Sequence, residues 1–167
     1  MTKKVKILII SIVSVLVVGA VLMIVLLNTK KYTDIFSAEE LYSKVENSFS
    51  TDGGTKVLDP DVILEFSDDN LSYIESYIVV KAKNVKNINE IGIFKVDKGS
   101  VDDMEDIVEN YVSNLQQVYR AMDYFPEEVE KIDCAKVEVF GNYVIYSFLN
   151  EQDTESFYSS IENVLQE

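Results

Sequence analysis

The pattern of apolar and polar positions divides the chain into two unequal parts. The first is an apolar run, Ile7–Leu27, which contains no charged residue over 21 positions. At about 1.5 Å of rise per residue, a helix of this length crosses a hydrocarbon core of about 30 Å. The second part, Tyr32–Glu167, mixes apolar and polar residues with the periods of helices and strands. The pattern therefore predicts a membrane anchor followed by one domain of ordinary size.

Three interpretations of Ile7–Leu27 are open. A cleaved secretory signal has an apolar core of about 7–15 residues and then a small-x-small cleavage site. Here the run is longer, and Asn28-Thr29-Lys30-Lys31 follows it without such a site. The third interpretation is a buried core helix, but a globular domain rarely surrounds a helix that is apolar on all sides. The sequence favours an uncleaved anchor over the other two.

Lysines at both ends of the run predict the orientation of the anchor. Three precede the run and two follow it: Lys3, Lys4, Lys6, Lys30 and Lys31. Because positive charge favours the cytoplasmic side, we expect a single-pass protein of the cell membrane with its N-terminus in the cytoplasm. The predicted segments are a basic cytoplasmic tail, a transmembrane signal anchor, a linker and an acidic extracytoplasmic α+β domain, over residues 1–6, 7–27, 28–36 and 37–167.

Apolar residues at three- and four-residue steps predict the helices of the domain. Ser37-Ala38-Glu39-Glu40 is a capping box that marks the start of the first helix. A short helix with proline in its first turn is predicted over Asp59–Phe66. The longest helix starts near Val101 and carries Tyr111 and Tyr119 on its apolar stripe, and one more helix ends the domain.

Dense β-forming residues predict two hairpins between these helices. The first joins Tyr73–Lys83 to Glu90–Val96, and the second covers Lys136–Leu149 with Gly141-Asn142 as a two-residue turn. Five apolar residues of the second hairpin then share one face: Val137, Val139, Val144, Tyr146 and Phe148. The predicted fold class is α+β in the order α-α-ββα-ββα, with a four-stranded, mainly antiparallel sheet and helices packed on one face.

Charge limits the partners of the domain. All 29 acidic residues of the chain lie in Tyr32–Glu167, against ten basic ones, which gives this part a formal charge of −19. Such a surface repels nucleic acid and gains nothing from an anionic membrane face. A cationic partner or divalent cations are compatible with it, although the charge also serves simply to maintain solubility.

Three short motifs and their order resemble a bacterial family known as domain of unknown function 4358. They are Glu90-Ile91-Gly92-Ile93-Phe94-Lys95, Tyr124-Phe125-Pro126-Glu127-Glu128 and Phe140-Gly141-Asn142-Tyr143-Val144, and the resemblance extends from about Ser37 to the C-terminus. It implies a small extracytoplasmic domain, often found behind a lipoprotein signal, where this chain has an apparent transmembrane anchor instead. The resemblance implies no activity, cofactor or catalytic residue.

The residues needed for common enzyme chemistry are missing from the sequence. There is no histidine, which removes the commonest general base and metal ligand and every Ser–His or Cys–His nucleophile. The single cysteine, Cys134, forms no intrachain disulfide, and no glycine-rich phosphate loop is present. We therefore expect no cofactor, no metal and no catalytic residue.

Acidic groups provide the remaining candidates for chemistry, since two carboxylates suffice for glycoside hydrolysis. The candidates are Asp59/Asp61, Asp68/Asp69 and Asp102/Asp103/Glu105/Asp106. The last group occupies the first turns of a predicted helix, where acids are favoured structurally. Calcium is an alternative ligand for such oxygens, but no EF-hand spacing is present.

Aromatic residues on the strands provide the clearest functional hypothesis. If helices cover only one face of the sheet, Tyr73, Tyr77 and Tyr143 lie on the opposite, open face and form a partner-binding surface. Cover by the N-terminal helices is the alternative. We expect a non-enzymatic interaction or accessory module of the cell envelope, with an envelope protein as partner; the alternative is an envelope hydrolase that uses paired carboxylates.

Overall fold

The computed structural model describes residues 31–50, 55–57, 72, 74–122 and 126–166. Tyr32–Glu167 forms one compact unit. The apolar run Ile7–Leu27 and the predicted helix Asp59–Phe66 lie outside the described residues. Within the described ranges, no helix combines the length and the apolar character that a membrane crossing requires.

Four α-helices and five strands make up the described part of the domain. The helices are α1 (Ala38–Val45), α2 (Val101–Ala121), α3 (Pro126–Asp133) and α4 (Glu151–Gln166), and a short 3-10 turn, Lys98–Ser100, leads into α2. The strands are β1 (Thr55–Val57), β2 (Ile74–Ala82), β3 (Glu90–Val96), β4 (Lys136–Phe140) and β5 (Tyr143–Phe148). The mixed α and β composition agrees with the predicted class.

All neighbouring strands pair antiparallel, in the order β1-β2-β3-β5-β4. The predicted hairpins correspond to β2–β3 and β4–β5. In the second, Phe140 pairs with Tyr143 across the turn, where Gly141 has a φ of 65° that favours glycine. The prediction of four strands missed β1, because Thr55-Lys56-Val57 is too short to show an alternating pattern.

Helices pack on both faces of the sheet, so the prediction that they cover one face was wrong. On the first face, α1 and α4 enclose apolar side chains such as Leu41, Ile93 and Phe157. On the second face, α2 and α3 pack over a separate cluster that includes Phe94 and Val144. The physical reason is visible in β3 and β5, whose consecutive apolar residues are buried on both sides.

The first helix begins as the capping box predicts. The Ser37 side chain accepts a hydrogen bond from the backbone N–H of Glu40 at 3.2 Å, and the Glu40 carboxylate accepts one from the backbone N–H of Ser37 at 2.9 Å. Two backbone donors at the helix end are thereby satisfied. This fixes the start of α1, whose buried face carries Leu41 and Val45 onto the first face of the sheet.

Candidate functional site

Of the three tyrosines expected to share an open face, the two that the structure describes, Tyr77 and Tyr143, lie on different faces. Tyr143 has no exposed surface and packs on the first face, where its hydroxyl donates to the carbonyl oxygen of Phe36 at 2.7 Å. Burial raises the pKa of Tyr143 to about 12, against the opposing effect of that hydrogen bond. Tyr77 is half-buried and packs with the second face, and Tyr73 lies outside the described residues.

Strand register explains why Tyr77 and Tyr143 are separated. Tyr77 is paired with Phe94, and Tyr143 is paired with Lys95. Because successive residues of a strand point to opposite faces, the partners of Phe94 and Lys95 also point to opposite faces. The expectation that Tyr143 lies exposed beside Tyr77 was therefore wrong, since α1 and α4 cover its side of the sheet.

The acidic candidates are dispersed. Asp59/Asp61 and Asp68/Asp69 lie outside the described residues, and Asp102, Asp103 and Asp106 are exposed on the first turns of α2. Burial, followed by the charges of Glu109, Asp102 and Asp106, raises the pKa of their half-buried neighbour Glu105. Among the residues that the structure describes, no group of three or more carboxylates and thiols is placed to hold a metal ion.

A different set of polar residues meets beneath α2 on the second face. We call it the Glu90 cluster, and its members are Lys81, Glu90, Tyr111, Tyr119 and Tyr146. Glu90 is the first residue of β3 and is only 1% exposed. Lys81 stands directly opposite it on β2, which is the arrangement in which cross-strand ion pairs form.

Glu90 accepts hydrogen bonds on both carboxylate oxygens. Its Oε1 accepts from the hydroxyls of Tyr111 at 2.6 Å and Tyr146 at 2.8 Å. Its Oε2 accepts from Lys81 Nζ at 2.7 Å, and the same ammonium donates to the hydroxyl of Tyr119 at 2.8 Å. The cluster therefore ties together β2, β3, β5 and α2, and the buried carboxylate has the partners that a buried charge requires.

The environment of the cluster determines the protonation of its members. Burial raises the pKa of both Tyr111 and Tyr146, and the nearby charge of Glu90 raises it further. Burial acts to lower the pKa of Lys81, but the charge and hydrogen bond of Glu90 outweigh it and the pKa is raised. Tyr111 and Tyr146 are therefore held as neutral hydrogen-bond donors, and Lys81 is held as the cation that balances the carboxylate.

Gly92 makes room for one member of the cluster. It pairs with Tyr146 across β3 and β5, and a Cβ atom at position 92 would lie 2.0 Å from Cε1 of the Tyr146 ring. Tyr146 is fully buried and its hydroxyl is held by Glu90, so the ring has little freedom to move aside. The Glu-Ile-Gly-Ile-Phe segment therefore combines the charge of the cluster with the space that its tyrosine needs.

A second buried ion pair lies next to the loop between β2 and β3. Lys131 Nζ lies 2.9 Å from Glu128 Oε1 on α3, and the two side chains are 11% and 7% exposed. Glu128 Oε2 accepts the backbone N–H of Ile88 at 2.8 Å, and Lys131 also donates to Asn87 Oδ1 at 3.2 Å. This pair attaches α3 to the loop and, like the Glu90 cluster, is satisfied within the fold.

Sequence reasoning missed the Glu90 cluster. It placed Tyr111, Tyr119 and Tyr146 correctly among apolar neighbours, but it treated their rings as packing groups alone. The available signal was Glu90, a charged residue directly before Ile91-Gly92-Ile93-Phe94 and across a predicted hairpin from a lysine-containing strand. A carboxylate in such a segment needs buried donors, and tyrosine hydroxyls are suitable ones.

Comparison with known proteins places these residues in a family. The model for the family described as Domain of unknown function (DUF4358) matches residues 62–149, a range that contains Gly92 and every member of the Glu90 cluster. No curated protein and no solved structure matches the chain. Since the match spans more than half of the 167 residues, the chain belongs to the DUF4358 family.

Proposed function

We propose that this chain is a single-pass, membrane-anchored protein whose extracytoplasmic domain binds a partner in the cell envelope and does not catalyse a reaction. The observation that supports the non-enzymatic role is the Glu90 cluster. Glu90 is the most buried carboxylate among the described residues, and both of its oxygens are occupied by donors from the same domain. A general acid or base has to exchange its proton with a substrate. Glu90 would first have to break these hydrogen bonds.

The other carboxylates also fit the non-enzymatic proposal. Glu128 is bound by Lys131 and by a backbone N–H. Asp102, Asp103 and Asp106 are exposed at the start of α2, where the partial positive charge of the helix end favours acids for structural reasons. A glycosidase needs two carboxylates on either side of a bound sugar. Among the described residues, the buried carboxylates form internal ion pairs and the exposed acids are spread over a helix end. This arrangement suits a binding module better than a glycosidase.

The membrane part of the proposal rests on the sequence of the apolar run and its flanking lysines. It is tested with a specific protease site inserted at Val85, which lies in the loop between β2 and β3 and is 86% exposed. In cells stripped of their wall, external protease should cleave this site in the intact chain. Protection of the site, or a mature N-terminus that begins after Leu27, would contradict an anchored extracytoplasmic domain.

Matched charge variants sharpen the topology test. Replacing Lys3, Lys4 and Lys6 with glutamine removes the N-terminal excess of positive charge, so the cleaved fraction should fall. Replacing Lys30 and Lys31 with glutamine increases that excess and should leave cleavage complete. Equal cleavage in both variants would show that these lysines do not set the orientation.

The hydrolase alternative is tested with purified full-length protein and isolated envelope polysaccharide. We expect no release of reducing ends by the protein, and no difference between it and an Asp102→Asn/Asp103→Asn variant. If the wild-type protein releases reducing ends and the folded double variant does not, the paired-carboxylate enzyme is established.

The binding role is tested by capture from gently solubilised membranes, with a chain that lacks residues 37–167 as the control. The formal charge of −19 on Tyr32–Glu167 predicts an envelope protein with a basic surface, whose capture weakens as salt screens the attraction. Proteins captured equally by the control would not support the proposal.

A further inference from the structure

The segment Tyr32–Phe36, which we call the strap, is attached to the domain along its length. The backbone N–H of Thr33 donates to the carbonyl oxygen of Leu165 near the end of α4 at 2.8 Å. The carbonyl oxygen of Phe36 accepts from the hydroxyl of Tyr143 at 2.7 Å. A free linker would not make such contacts, so the rigid part of the domain starts at Tyr32.

Side chains add further attachments. The Tyr32 ring meets Phe140 edge-on, with 5.4 Å between the ring centroids, and Asp34 lies 2.8 Å from Lys98 in an exposed ion pair. Ile35 contrasts with these residues, because it is 72% exposed. The strap thus holds the apolar side chain of Ile35 exposed to solvent at a fixed position on the domain.

The contacts place the strap at one end of the sheet. Phe140, Tyr143 and Lys98 lie where β4 and β3 end and β5 begins. The opposite end carries the loop between β2 and β3, with Val85 exposed. The nine residues of β2 span roughly 26 Å at about 3.3 Å per residue, which separates the strap end from the loop end.

Chain length limits how far the strap end lies from the membrane. Tyr32 is five residues beyond Leu27, the last residue of the apolar run, and five residues span at most about 18 Å when fully extended. The headgroup layer occupies roughly 5–7 Å of this distance. We propose that the strap end faces the bilayer, with Ile35 in contact with its interfacial layer, and that the loop around Val85 faces away. This inference rests on the proposed anchor.

Charge favours this orientation over one in which a helix lies on the membrane. The outer surfaces of α2 and α4 expose acids that an anionic lipid surface repels: Asp102, Asp103, Asp106, Glu109, Glu151 and Glu155. At the strap end the exposed charge of Lys98 is balanced by its ion pair with Asp34. Lys30 and Lys31, which directly precede the strap, add positive charge where the chain approaches the lipid.

The orientation is tested with the full chain in phosphatidylcholine nanodiscs that contain a headgroup-nitroxide lipid. Two variants carry a fluorophore on a single cysteine in a Cys134→Ser background, one at Ile35→Cys and one at Val85→Cys. We expect the nitroxide to quench the label at position 35 several-fold more strongly than the label at position 85. Equal quenching, or stronger quenching at position 85, would overturn the inference.

A longer tether provides the matched control. A flexible Gly/Ser segment of about 20 residues, inserted after Lys31, adds roughly 25 Å of average reach and leaves the strap and the domain unchanged. The preference for position 35 should then fall toward equality. A preference that persists would show that the contact of the strap end with the lipid, and not the short tether, maintains the orientation, which also supports the inference. Failure of the proposed anchor is distinguishable from failure of this inference, because a chain that does not insert into the bilayer would not copurify with the nanodiscs.

Discussion

The two faces of the sheet are both buried by helices, but they use tyrosine differently. On the first face, the hydroxyls of Tyr143 and Tyr158 donate to backbone carbonyl oxygens, those of Phe36 and Lys136. On the second face, the hydroxyls of Tyr111 and Tyr146 donate to the carboxylate of Glu90. A carbonyl acceptor belongs to the backbone and is present whatever the sequence, whereas Glu90 is one side chain. The second face should therefore depend more strongly on a single residue.

The largest effect is expected from Glu90→Ala, measured by urea unfolding of Tyr32–Glu167. This replacement removes the counter-ion of Lys81 and the acceptor of two tyrosine hydroxyls, which should cost about 3–5 kcal/mol of unfolding free energy. The loss should also lower the cooperativity of the transition. A cost below about 1 kcal/mol, the size expected for an exposed pair, would show that the cluster does not organise the second face.

A paired replacement is the control for this prediction. Lys81→Met with Glu90→Leu removes both charges and retains apolar volume, and exchanges of this kind are often neutral or stabilising. We expect the double variant to be more stable than Glu90→Ala alone. If it is not, the destabilisation arises from the hydroxyls of Tyr111 and Tyr146, which lose their acceptor in both variants, and not from the unpaired charge of Lys81.

On the first face, Ile161→Ala is expected to cost about 2–5 kcal/mol, since a fully buried side chain is truncated in a packed core. The same unfolding measurement applies. Ile161 should differ from Glu90 in tolerating a similar side chain. Ile161→Val should retain most of the unfolding free energy, because the position requires only apolar volume. Failure of valine to do so would indicate that the first face is as specific as the second.

Gly92→Ala is expected to cost about 1–3 kcal/mol, because the added methyl group overlaps the Tyr146 ring in a filled core. Gly92→Ala combined with Tyr146→Leu, which removes the ring, should cost less than the sum of the two single changes. Additive costs would mean that Gly92 is required for another reason. Thermal denaturation of the four proteins provides the comparison.

Alkaline pH should distinguish Tyr146 from Tyr143 by the pH range over which each one contributes to stability. Unfolded tyrosine has a pKa of about 10, and burial raises the pKa of Tyr146 well above that value, so stability is complete below pH 10 and falls as the unfolded chain ionises. Each such tyrosine contributes a slope of about 1.4 kcal/mol per pH unit. Tyr146→Phe should therefore flatten the decline throughout the alkaline range.

Tyr143→Phe tests the other face in the same titration. Because the pKa of Tyr143 is raised only to about 12, this variant should flatten the decline between about pH 10 and 12 and not beyond. Unfolding free energies measured from pH 8 to 12.5 show whether the two slopes differ. Identical profiles for the two variants would contradict the assigned difference in environment.

The smallest effect is expected from Asp103→Asn at the exposed start of α2, with a change within about 0.5 kcal/mol. Its charge favours the helix end only weakly in water and salt. A larger loss, measured by the same urea titration, would indicate that this acid has a buried partner in the folded domain.

Sequence patterns were sufficient for the elements whose signals are local. The capping box placed the start of α1, and the two-residue turn at Gly141-Asn142 set the register of β4 and β5. Strand β1 has only three residues and therefore gave no periodic signal. The strand patterns alone also could not show that α1 and α4 cover the first face of the sheet. The Glu90 cluster joins residues that are 9 to 56 positions from Glu90 along the chain, so no local pattern identifies it.

Local sequence patterns are enough to establish that Tyr32–Glu167 forms an acidic, mixed α and β domain with two hairpins and one long amphipathic helix, because periodicity and turn chemistry act between near neighbours. Only the tertiary packing shows that both sheet faces are covered, that Tyr143 is buried, and that Glu90 meets Lys81 on β2, Tyr111 on α2 and Tyr146 on β5. The physical reason is that burial and hydrogen-bond partners depend on which elements pack together. Residues with the same local pattern, such as Tyr143 and Tyr146, thereby receive different acceptors.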